Sequence, residues 1–400
     1  AAVRPNLEVV DQVASVPYDV VDRDEAAALA QGNPLSFLRV SRAEIDLPKD
    51  LNPYSDEVYQ QAQSNYRRLL EQGHLIQESE PALYIYQLQM GEQIQTGVAA
   101  TFSVDEYDND RIKKHEKTRR EKEDDRTRHI VQLRAQTGPV FLTYRAQARI
   151  DTLVETACQG TPLYNLVAVD GVRHTLWKVS QTQDWEKAFD EVSELYIADG
   201  HHRAASASRT RAQLRQEAGP SWTGQEAANY FLAVAFPSNQ LKILPYNRVI
   251  KDLHGLNSQQ FLAALEKRCQ IEAVTDPSPA QRGRVSMYLG GQWYGLTLQV
   301  PSQAQSPSET LDVAILQSQV LAPILGIEDP RSDKRIDFVG GIRGTQELER
   351  RVQAGEAAAF SMFATSLDEL MAISDANEIM PPKSTWFEPK LRDALLIHHV

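Results

Sequence analysis

The chain has 400 residues, of which 42% are hydrophobic and 24% are charged, and this is long enough for two domains or for one large domain with an accessory lobe. Its formal net charge of −12 argues against nucleic-acid binding over a broad surface, while a local basic patch stays compatible with it. The sequence contains no apolar run of about 18 residues or more, so no membrane-spanning helix is predicted.

Cysteine content and the N-terminal residues bear on the compartment. The two cysteines, Cys158 and Cys269, form no metal-ligand spacing and are too few for a disulfide framework. Residues 1–5 lack the apolar core of a secretory signal peptide. Together, these features favour a cytoplasmic protein with reduced thiols.

The first 50 residues contain the segment V-P-Y-D-V-V at residues 16–21. Because proline favours extended geometry in the residue before it, a strand end or a turn is predicted here, followed by a short helix over residues 24–31. Asp19 has two interpretations at this stage. It is either a buried carboxylate that needs a partner or a turn residue that caps the following helix.

The next elements are a helix and a hairpin that we interpret as scaffold. Ser55 begins a helix whose apolar residues recur at helical spacing until Gly73 ends it. An apolar strand over residues 83–88 and a returning strand over residues 96–102 are joined by a turn at residues 90–92. This pattern predicts a β-hairpin.

Residues 105–128 are the most charged part of the chain, and they mix both signs. Such a run is typical of a solvated helix or a mobile loop, and the residue pattern alone favours that interpretation. The functional alternative is a lid that brings His115, Glu116 and Arg126 over a phosphate-bearing ligand.

The chain then alternates between short strands and helices. A strand over residues 140–144 precedes a helix over residues 150–159. Two strands over residues 163–169 and 172–179, joined at an Asp-Gly turn, predict a second hairpin. Asp184 is predicted to cap the helix that follows.

The central stretch of the chain is predicted to form a buried strand, a sharp turn and a helix. An apolar run over residues 195–198 is followed by Asp199 and Gly200, and glycine permits the positive φ that a sharp turn needs. Residues 201–217 are rich in Ala and Arg and contain neither Pro nor Gly, so they are predicted to be helical.

The first turn of this helix carries His201, His202 and Arg203. A helix N-terminus has free backbone N–H groups and the positive end of the helix dipole, both of which suit an anion. Two imidazoles and a guanidinium beside them predict a cradle for a phosphate or a carboxylate. The plainer alternative is that Asp199 caps the helix and that the histidines are structural.

The C-terminal part contains a further series of helices and strands from residue 252 onwards. It follows a continuous apolar run over residues 231–236, which predicts a fully buried strand. The glycine cluster at residues 340–344 lacks the Lys-Ser/Thr of a Walker A loop, so a tight turn is predicted there. Beyond two prolines that exclude a helix, Lys383 and Ser384 either bind a phosphate or hold a loop.

The segment I-A-D-G-H-H-R at residues 197–203 resembles the D-G-H-H-R signature of the ParB/sulfiredoxin-like superfamily. This superfamily includes free-serine kinases, nucleotide-dependent partition proteins and sulfiredoxin. The resemblance implies that nucleotide phosphates bind at the strand–helix junction, against Gly200, His201, His202 and Arg203.

The chain as a whole is similar to the bacterial domain-of-unknown-function 1015 family. The similar pieces are S-V-P-Y-D-V-V (residues 15–21), H-E-K-T (residues 115–118), the central motif, and M-P-P-K-S-T-W-F-E-P-K-L (residues 380–391). This resemblance favours a role at the site for His115 and Glu116 over the solvated interpretation. It also favours phosphate binding by Lys383 and Ser384.

These observations predict a mixed α/β (α+β) fold. Residues 1–250 are expected to form a ParB/sulfiredoxin-like nucleotide- or phosphate-binding core, built around the strand–turn–helix and extended by an N-terminal elaboration. Residues 251–400 are expected to form a C-terminal α/β lobe whose tail packs back on the core.

The resemblance implies a small-molecule kinase that transfers phosphate from ATP or ADP to the hydroxyl of a small metabolite, with free serine the leading candidate. Such chemistry needs charge neutralisation at the phosphates and a base near the hydroxyl. Glu116 is assigned as the base or a metal partner, His201 as a catalytic residue, and Asp199 to the turn or the Mg²⁺ side. Arg126 joins the phosphate ligands. Mg²⁺ is inferred from the nucleotide chemistry alone, and its ligands are unknown.

Two other functions stay open: a nucleotide-dependent switch that hydrolyses nucleotide to control a partner, and a non-catalytic protein that binds a phosphate metabolite. The acidic composition counts against DNA partition, and a sulfiredoxin-type reductase is disfavoured because no cysteine lies beside the motif. The expected ligands are a nucleotide and a small hydroxyl metabolite, without nucleic acid or membrane. A homodimer is one of the assemblies that the sequence leaves open.

Overall fold

The computed structural model describes residues 1–301, 304 and 306–400. The chain divides into two compact units: the first unit comprises Ala1–Leu241 with Pro389–Val400, and the second unit comprises Lys242–Glu388. Both units combine helices with β-sheets, which confirms the predicted mixed α/β class. Within the described residues, no helix has the length and apolarity that crossing a bilayer requires.

The α-helices are distributed along the whole chain. In order they are α1 (Val10–Val13), α2 (Arg23–Leu29), α3 (Leu38–Ser41), α4 (Asp56–Glu71), α5 (Val104–Asp108), α6 (Arg120–Leu133), α7 (Ala148–Cys158), α8 (Gln183–Asp190), α9 (His201–Ala218), α10 (Ser258–Glu266), α11 (Asp312–Leu316), α12 (Gly344–Gln353) and α13 (Leu367–Asp375). Asp22 caps α2 through a capping box, so the interpretation of Asp19 as the cap is wrong. The helix α8 begins one residue before Asp184, so the predicted cap there is also wrong.

The β-strands, in chain order, are β1 (Val3–Pro5), β2 (Leu75–Gln77), β3 (Leu83–Met90), β4 (Gln93–Ser103), β5 (Ile112–Lys113), β6 (Ala135–Gln136), β7 (Val140–Tyr144), β8 (Tyr164–Val167), β9 (Arg173–Val179), β10 (Leu195–Asp199), β11 (Tyr230–Pro237), β12 (Ile243–Leu244), β13 (Tyr246–Ile250), β14 (Gln270–Ala273), β15 (Arg284–Leu289), β16 (Gln292–Thr297), β17 (Ile336–Gly340), β18 (Ala358–Met362), β19 (Trp386–Phe387) and β20 (His398–His399). The antiparallel pairs β3–β4 and β8–β9 confirm both predicted hairpins.

The first unit is built on an eight-stranded sheet with the order β5-β10-β7-β11-β4-β3-β9-β8. The pairs β5–β10 and β7–β11 are parallel, and the other neighbours are antiparallel. The strand β11 is buried from Phe231 to Pro237, as its continuous apolar run predicts. The strand β10, which leads into the central motif, lies inside the sheet between β5 and β7.

Helix α9 packs closely on this sheet through small side chains. Ala204 and Ala207 belong to the same buried core as Ile197 of β10 and Ala233 of β11. Because alanine lets helix and sheet backbones approach each other, packing holds the first turns of α9 against the strand that precedes them.

The C-terminal segment, residues 389–400, belongs to the first unit. Asp393 exchanges backbone hydrogen bonds with Ser15, at N···O distances of 2.9 and 3.3 Å, and Ala394 N donates to Thr137 O at 2.9 Å. The short strand β20 then pairs with β6. The last residues of the chain are thereby fixed beside the N-terminal segment and the loop that precedes β7.

The second unit contains a six-stranded antiparallel sheet with the order β14-β16-β15-β18-β13-β17. Helix α12 contributes Leu348 to a buried core with Val249, Val339 and Ala359 of the sheet. A 3₁₀ turn over Gly341–Arg343 precedes α12, which confirms the tight turn predicted at the glycine cluster.

Candidate functional site

The strand β10, Gly200 and helix α9 form the predicted strand–turn–helix. Gly200 has a φ of 93°, in the left-handed region that favours glycine. A Cβ at this position would lie 3.1 Å from Nε and 3.2 Å from Cζ of Arg203. Glycine is therefore required by the backbone conformation and by the arginine side chain that folds back over the turn.

Asp199 uses both carboxylate oxygens within the first unit. Its Oδ1 accepts the Gly200 N–H at 2.7 Å, and its Oδ2 accepts from Lys390 Nζ at 2.9 Å. Burial opposes ionisation, but the charges of Lys390 and Arg203 outweigh it and hold the pKa of Asp199 well below its ordinary value. The N-cap residue of α9 is Gly200, and no described side chain caps this helix, so the interpretation of Asp199 as the cap is wrong.

The rings of His115 and His201 are buried and meet edge to face, with their centroids 4.4 Å apart. Burial lowers the pKa of His115 to about 4. Burial and the neighbouring His115 ring lower the pKa of His201 well below its ordinary value. The neutral His201 accepts the His115 backbone N–H on Nε2 at 3.4 Å. Its proton is then on Nδ1, which lies 3.9 Å from Glu116 Oε2. The first turn of α9 therefore carries less positive charge than its residue types indicated.

The second histidine of the motif fixes the start of α6. His202 Nε2 accepts the backbone N–H of Arg119, which precedes that helix, at 3.0 Å. The charged segment is thus tied to the motif at two points, and its strand β5 pairs with β10. His115 and Asp125 are buried, so the purely solvated interpretation of the segment is wrong for these two residues.

Arg203 lies under the turn, and only 10% of its side chain is exposed. One guanidinium nitrogen, Nη1, donates to Pro139 O, and Nη2 lies 3.7 Å from Asp19 Oδ2. Burial opposes its charge, but the carboxylates of Asp19 and Asp199 outweigh burial and raise the pKa of Arg203 further. The turn residue Asp19 is therefore the partner of a buried cation, at 39% side-chain exposure.

Arg126 of α6 is a second buried guanidinium close to Arg203. Its Nη2 lies 2.8 Å from Asp125 Oδ2, and its Cζ lies 4.0 Å above the centre of the Tyr18 ring. Arginine stacks on aromatic rings while it keeps a planar set of donors for anions. The V-P-Y-D-V-V segment thus meets both arginines, one through Tyr18 and the other through Asp19.

The two arginines line one small cavity of about 30 Å³. Other residues that line it include Tyr18, His129, Gly138 and Asp393. This volume is sufficient for one or two groups the size of a water molecule.

A larger cavity of about 320 Å³ shares Tyr18, Arg126 and His129 with the small one, so the two adjoin. Five cationic side chains and two carboxylates line it: Arg23, Arg42, Lys49, Lys122, Arg126, Glu44 and Asp125. The excess of positive charge is notable in a chain whose net charge is −12. A cavity of this size and sign suits a small anionic ligand.

Residues 1–314 match the model of a protein family whose description is "Protein of unknown function (DUF1015)". The chain belongs to the DUF1015 family. This confirms the family resemblance inferred from the sequence. A search of curated proteins finds no match.

Several solved structures resemble this DUF1015 protein at low similarity. A free serine kinase in complex with AMP has 12% identity and a TM-score of 0.37, over 74% of this chain and 92% of that chain. A variant of free serine kinase in complex with ADP has 13% identity and a TM-score of 0.36, over the same shares. SbnI with a C-terminal truncation, from Staphylococcus aureus, has 12% identity and a TM-score of 0.40, over 74% of this chain and 87% of that chain. At these values an activity must be inferred from the side chains of the DUF1015 protein itself.

Sequence reasoning missed two site residues of this DUF1015 protein, Lys390 and Asp393. Lys390 pairs with Asp199, and Asp393 lines the small cavity with Arg203. Lys390 lies in a segment that the family resemblance had singled out, and this was the only signal for it. Residue spacing carried no information, because both residues lie almost 200 positions from the motif.

The predicted site residues Lys383 and Ser384 belong to the second unit. Within that unit, Ser384 Oγ donates to Pro381 O at 2.6 Å, and Lys383 Nζ lies 5.4 Å from the centre of the Tyr246 ring. Their assignment to phosphate binding stays a prediction. The other predicted residues lie in the first unit, which brings His115 and Glu116 to the motif and Arg126 to Arg203.

The residues around the motif are a poor match for a metal site made by protein alone. No group of three or more His, Cys, Asp or Glu residues in the described part of the chain could hold a metal ion. Asp199 has both oxygens engaged, whereas Glu116 is 41% exposed beside His201. Mg²⁺ usually takes only one or two protein carboxylates and completes its shell with phosphates and water. Glu116 fits that kind of site.

Proposed function

We propose that this DUF1015 protein is a kinase that transfers the terminal phosphoryl group of ATP or ADP to the hydroxyl of a small metabolite, with free serine the leading candidate. The observation that carries the proposal is that two buried guanidiniums, Arg126 and Arg203, line one cavity that adjoins a larger cation-rich cavity. Each guanidinium is paired with a carboxylate, Arg126 with Asp125 and Arg203 with Asp19, and its planar set of five N–H donors still offers others to phosphate oxygens.

The phosphates of the nucleotide are proposed to bind at the start of α9 and to take hydrogen-bond donors from Arg203 and Arg126, since the cavity of about 30 Å³ that these arginines line is too small to hold a phosphate group. The backbone N–H groups of His201, His202 and Arg203 belong to a helix terminus that no described side chain caps. Such groups stabilise phosphate oxygens at little reorganisation cost. In this proposal His201 acts by orienting Glu116 through its Nδ1–H, and Asp199 holds the turn together with Lys390.

Glu116 is proposed to hold Mg²⁺ that arrives with the nucleotide. An ion held there would neutralise charge on the phosphates. The larger cavity, at about 320 Å³, is the proposed binding site of the metabolite. We place the reaction in the cytoplasm, since Cys158 and Cys269 are both free thiols.

A transfer assay tests this function. The full chain is incubated with Mg²⁺, with ATP or ADP labelled in the terminal phosphate, and with serine or other hydroxyl metabolites, and labelled products are separated. Label on a metabolite supports the kinase. Arg203→Ala and Arg126→Ala should each weaken nucleotide binding by roughly tenfold or more, or about 1.4 kcal/mol. Arg173→Ala is the matched control, because Arg173 is an exposed arginine that donates a hydrogen bond to Asn165. This variant should bind nucleotide with wild-type affinity.

A second function, binding of a phosphate metabolite without catalysis, is favoured by one observation. Both motif histidines are engaged as acceptors of backbone N–H groups, which is a structural use of the rings. Nucleotide binding without turnover in the same assay would support this function. Hydrolysis without transfer would instead support a nucleotide-dependent switch.

A further inference from the structure

Asp393 is held rigidly in the first unit by its backbone. Its N–H and C=O both bond to Ser15, and the next residue, Ala394, donates to Thr137 O. Ala394 has a φ of 70°, in the left-handed region that non-glycine residues rarely adopt. The position of the Asp393 carboxyl group is therefore set by the fold and not by a mobile loop.

The Asp393 side chain is buried, and one of its oxygens is unsatisfied. Only 2% of the residue is exposed. Within the described chain, Oδ1 has no hydrogen-bond partner. A buried carboxylate oxygen without a partner is costly and needs an explanation.

A small cavity adjoins the Asp393 side chain. Asp393 lines the small cavity together with Arg126 and Arg203. Gly138 lines it too, and a Cβ at that position would collide with Asp393 Oδ1. The cavity volume of about 30 Å³ admits a single hydroxyl group, and the adjoining cavity of about 320 Å³ admits the rest of a small molecule. A hydroxyl group in the small cavity would lie beside the carboxyl group and the two guanidiniums together.

We propose that Asp393 is the catalytic residue that takes up the proton of the substrate hydroxyl. This proposal rests on the kinase function proposed above. The hydroxyl oxygen forms a bond to the terminal phosphorus of the nucleotide while its proton passes to Asp393. The bond from that phosphorus to the bridging oxygen breaks, and its electron pair leaves with the shortened nucleotide. The protonated Asp393 then releases its proton to solvent.

The surroundings of Asp393 suit a group that exchanges protons near neutral pH. Burial raises the pKa of Asp393 to about 7, against the opposing charge of Arg203. The titratable and charged groups that face it are Tyr18 and Asp19 from the N-terminal segment, Arg126 and His129 from α6, and Arg203 from α9. Burial lowers the pKa of His129 to about 4, so that ring is neutral where Asp393 titrates. A base is most effective when its pKa lies near the working pH.

In this proposal Asp393, and not Glu116, is the base, and Glu116 keeps the role of metal partner. Glu116 Oε2 lies 3.9 Å from His201 Nδ1, and 41% of the Glu116 side chain is exposed. It is not among the residues that line either described cavity. Asp393, by contrast, lines the small cavity together with both guanidiniums.

Asp393→Asn in the full chain tests the proposal, because it keeps the shape and removes the basic oxygen. The rate of transfer should fall by roughly 10²- to 10⁴-fold, with nucleotide affinity changed by less than about threefold. The control is Asp170→Asn, which removes the partner of the neighbouring Arg392 without touching the cavity. That variant should keep the wild-type rate.

A pH profile provides a measurement that needs no variant to fold. The wild-type kcat/KM should rise as pH increases through about 7. The Asn variant should lack this rise. Equal rates in the variant and the wild type, a wild-type profile that is flat near pH 7, or equal losses of rate and nucleotide affinity would each overturn the role of Asp393. If the wild type transfers no label at all, the kinase function itself fails, which is a different result.

Discussion

Replacing Gly200 by Ala tests whether Arg203 and the turn of the central motif support each other. Two effects add at this position. The backbone has a φ of 93°, and the new Cβ would lie 3.1 Å from Arg203 Nε. Arg203 has little freedom to move away, because its side chain is only 10% exposed and its Nη1 bonds to Pro139 O.

The expected magnitude follows from these two effects. A left-handed conformation costs a residue with a Cβ about 1–2 kcal/mol. Moving the confined guanidinium adds a cost of the kind caused by overpacking, about 1–3 kcal/mol. Gly200→Ala should therefore lower the free energy of unfolding by roughly 2–5 kcal/mol.

Gly171→Ala is a matched control for the backbone effect alone. Gly171 also has a positive φ, 78°, but no atom of the described chain lies within 4 Å of the Cβ that would be added. It should cost only about 1–2 kcal/mol. Both variants are unfolded in denaturant without ligand, and nucleotide affinity is measured separately.

The difference between the two variants isolates the contact with Arg203. We expect Gly200→Ala to be the less stable by at least about 1 kcal/mol and to bind nucleotide more weakly, because the guanidinium is displaced. Equal stabilities and equal affinities in the two variants would refute the reasoning that Arg203 is positioned by the absence of a side chain at Gly200.

Two further predictions concern pH and stability. Burial opposes ionisation of Asp199, but Lys390 outweighs it and holds the pKa of Asp199 below its ordinary value. Asp199 therefore stabilises the fold fully above its unfolded pKa of about 3.9, and this stabilisation is lost as pH falls through the lower folded pKa. Lys390→Met should have a lower free energy of unfolding than wild type at pH 7. Denaturant unfolding should show this difference in free energy shrinking between about pH 5 and pH 2, and a difference that stays constant would contradict the prediction. Burial lowers the pKa of His115 to about 4, while unfolded histidine titrates near 6.5, so stability should fall as pH drops between these values. His115→Phe should reduce the slope of unfolding free energy against pH in this range by up to about 1.4 kcal/mol per pH unit. An unchanged slope would count against a neutral His115.

The central motif could be predicted from the sequence because its structure is local. An apolar run, a glycine that tolerates a positive φ and an alanine-rich segment specify β10, Gly200 and α9 with little help from the rest of the chain. The hairpins and the buried strand β11 were accessible for the same reason.

The charged segment shows where local reasoning failed. Its composition predicted a solvated helix or loop, yet β5 pairs with β10 and the His115 ring is 2% exposed. A run of mixed charge identifies the exposed side of a segment but not the few residues that turn inward. Those residues are selected by the neighbours that tertiary packing supplies, here the His201 ring.

The sequence by itself determined the fold class, the strand–turn–helix and the residue types that gather at its start, since each depends on neighbours within a few positions along the chain. Only the tertiary structure decided the protonation of the histidines, the partners of Arg203 and the place of Asp393 in the small cavity. The physical reason is that charge and hydrogen bonding depend on burial and on distances of a few ångströms. Packing creates those distances by bringing together residues that lie almost 200 positions apart in the sequence.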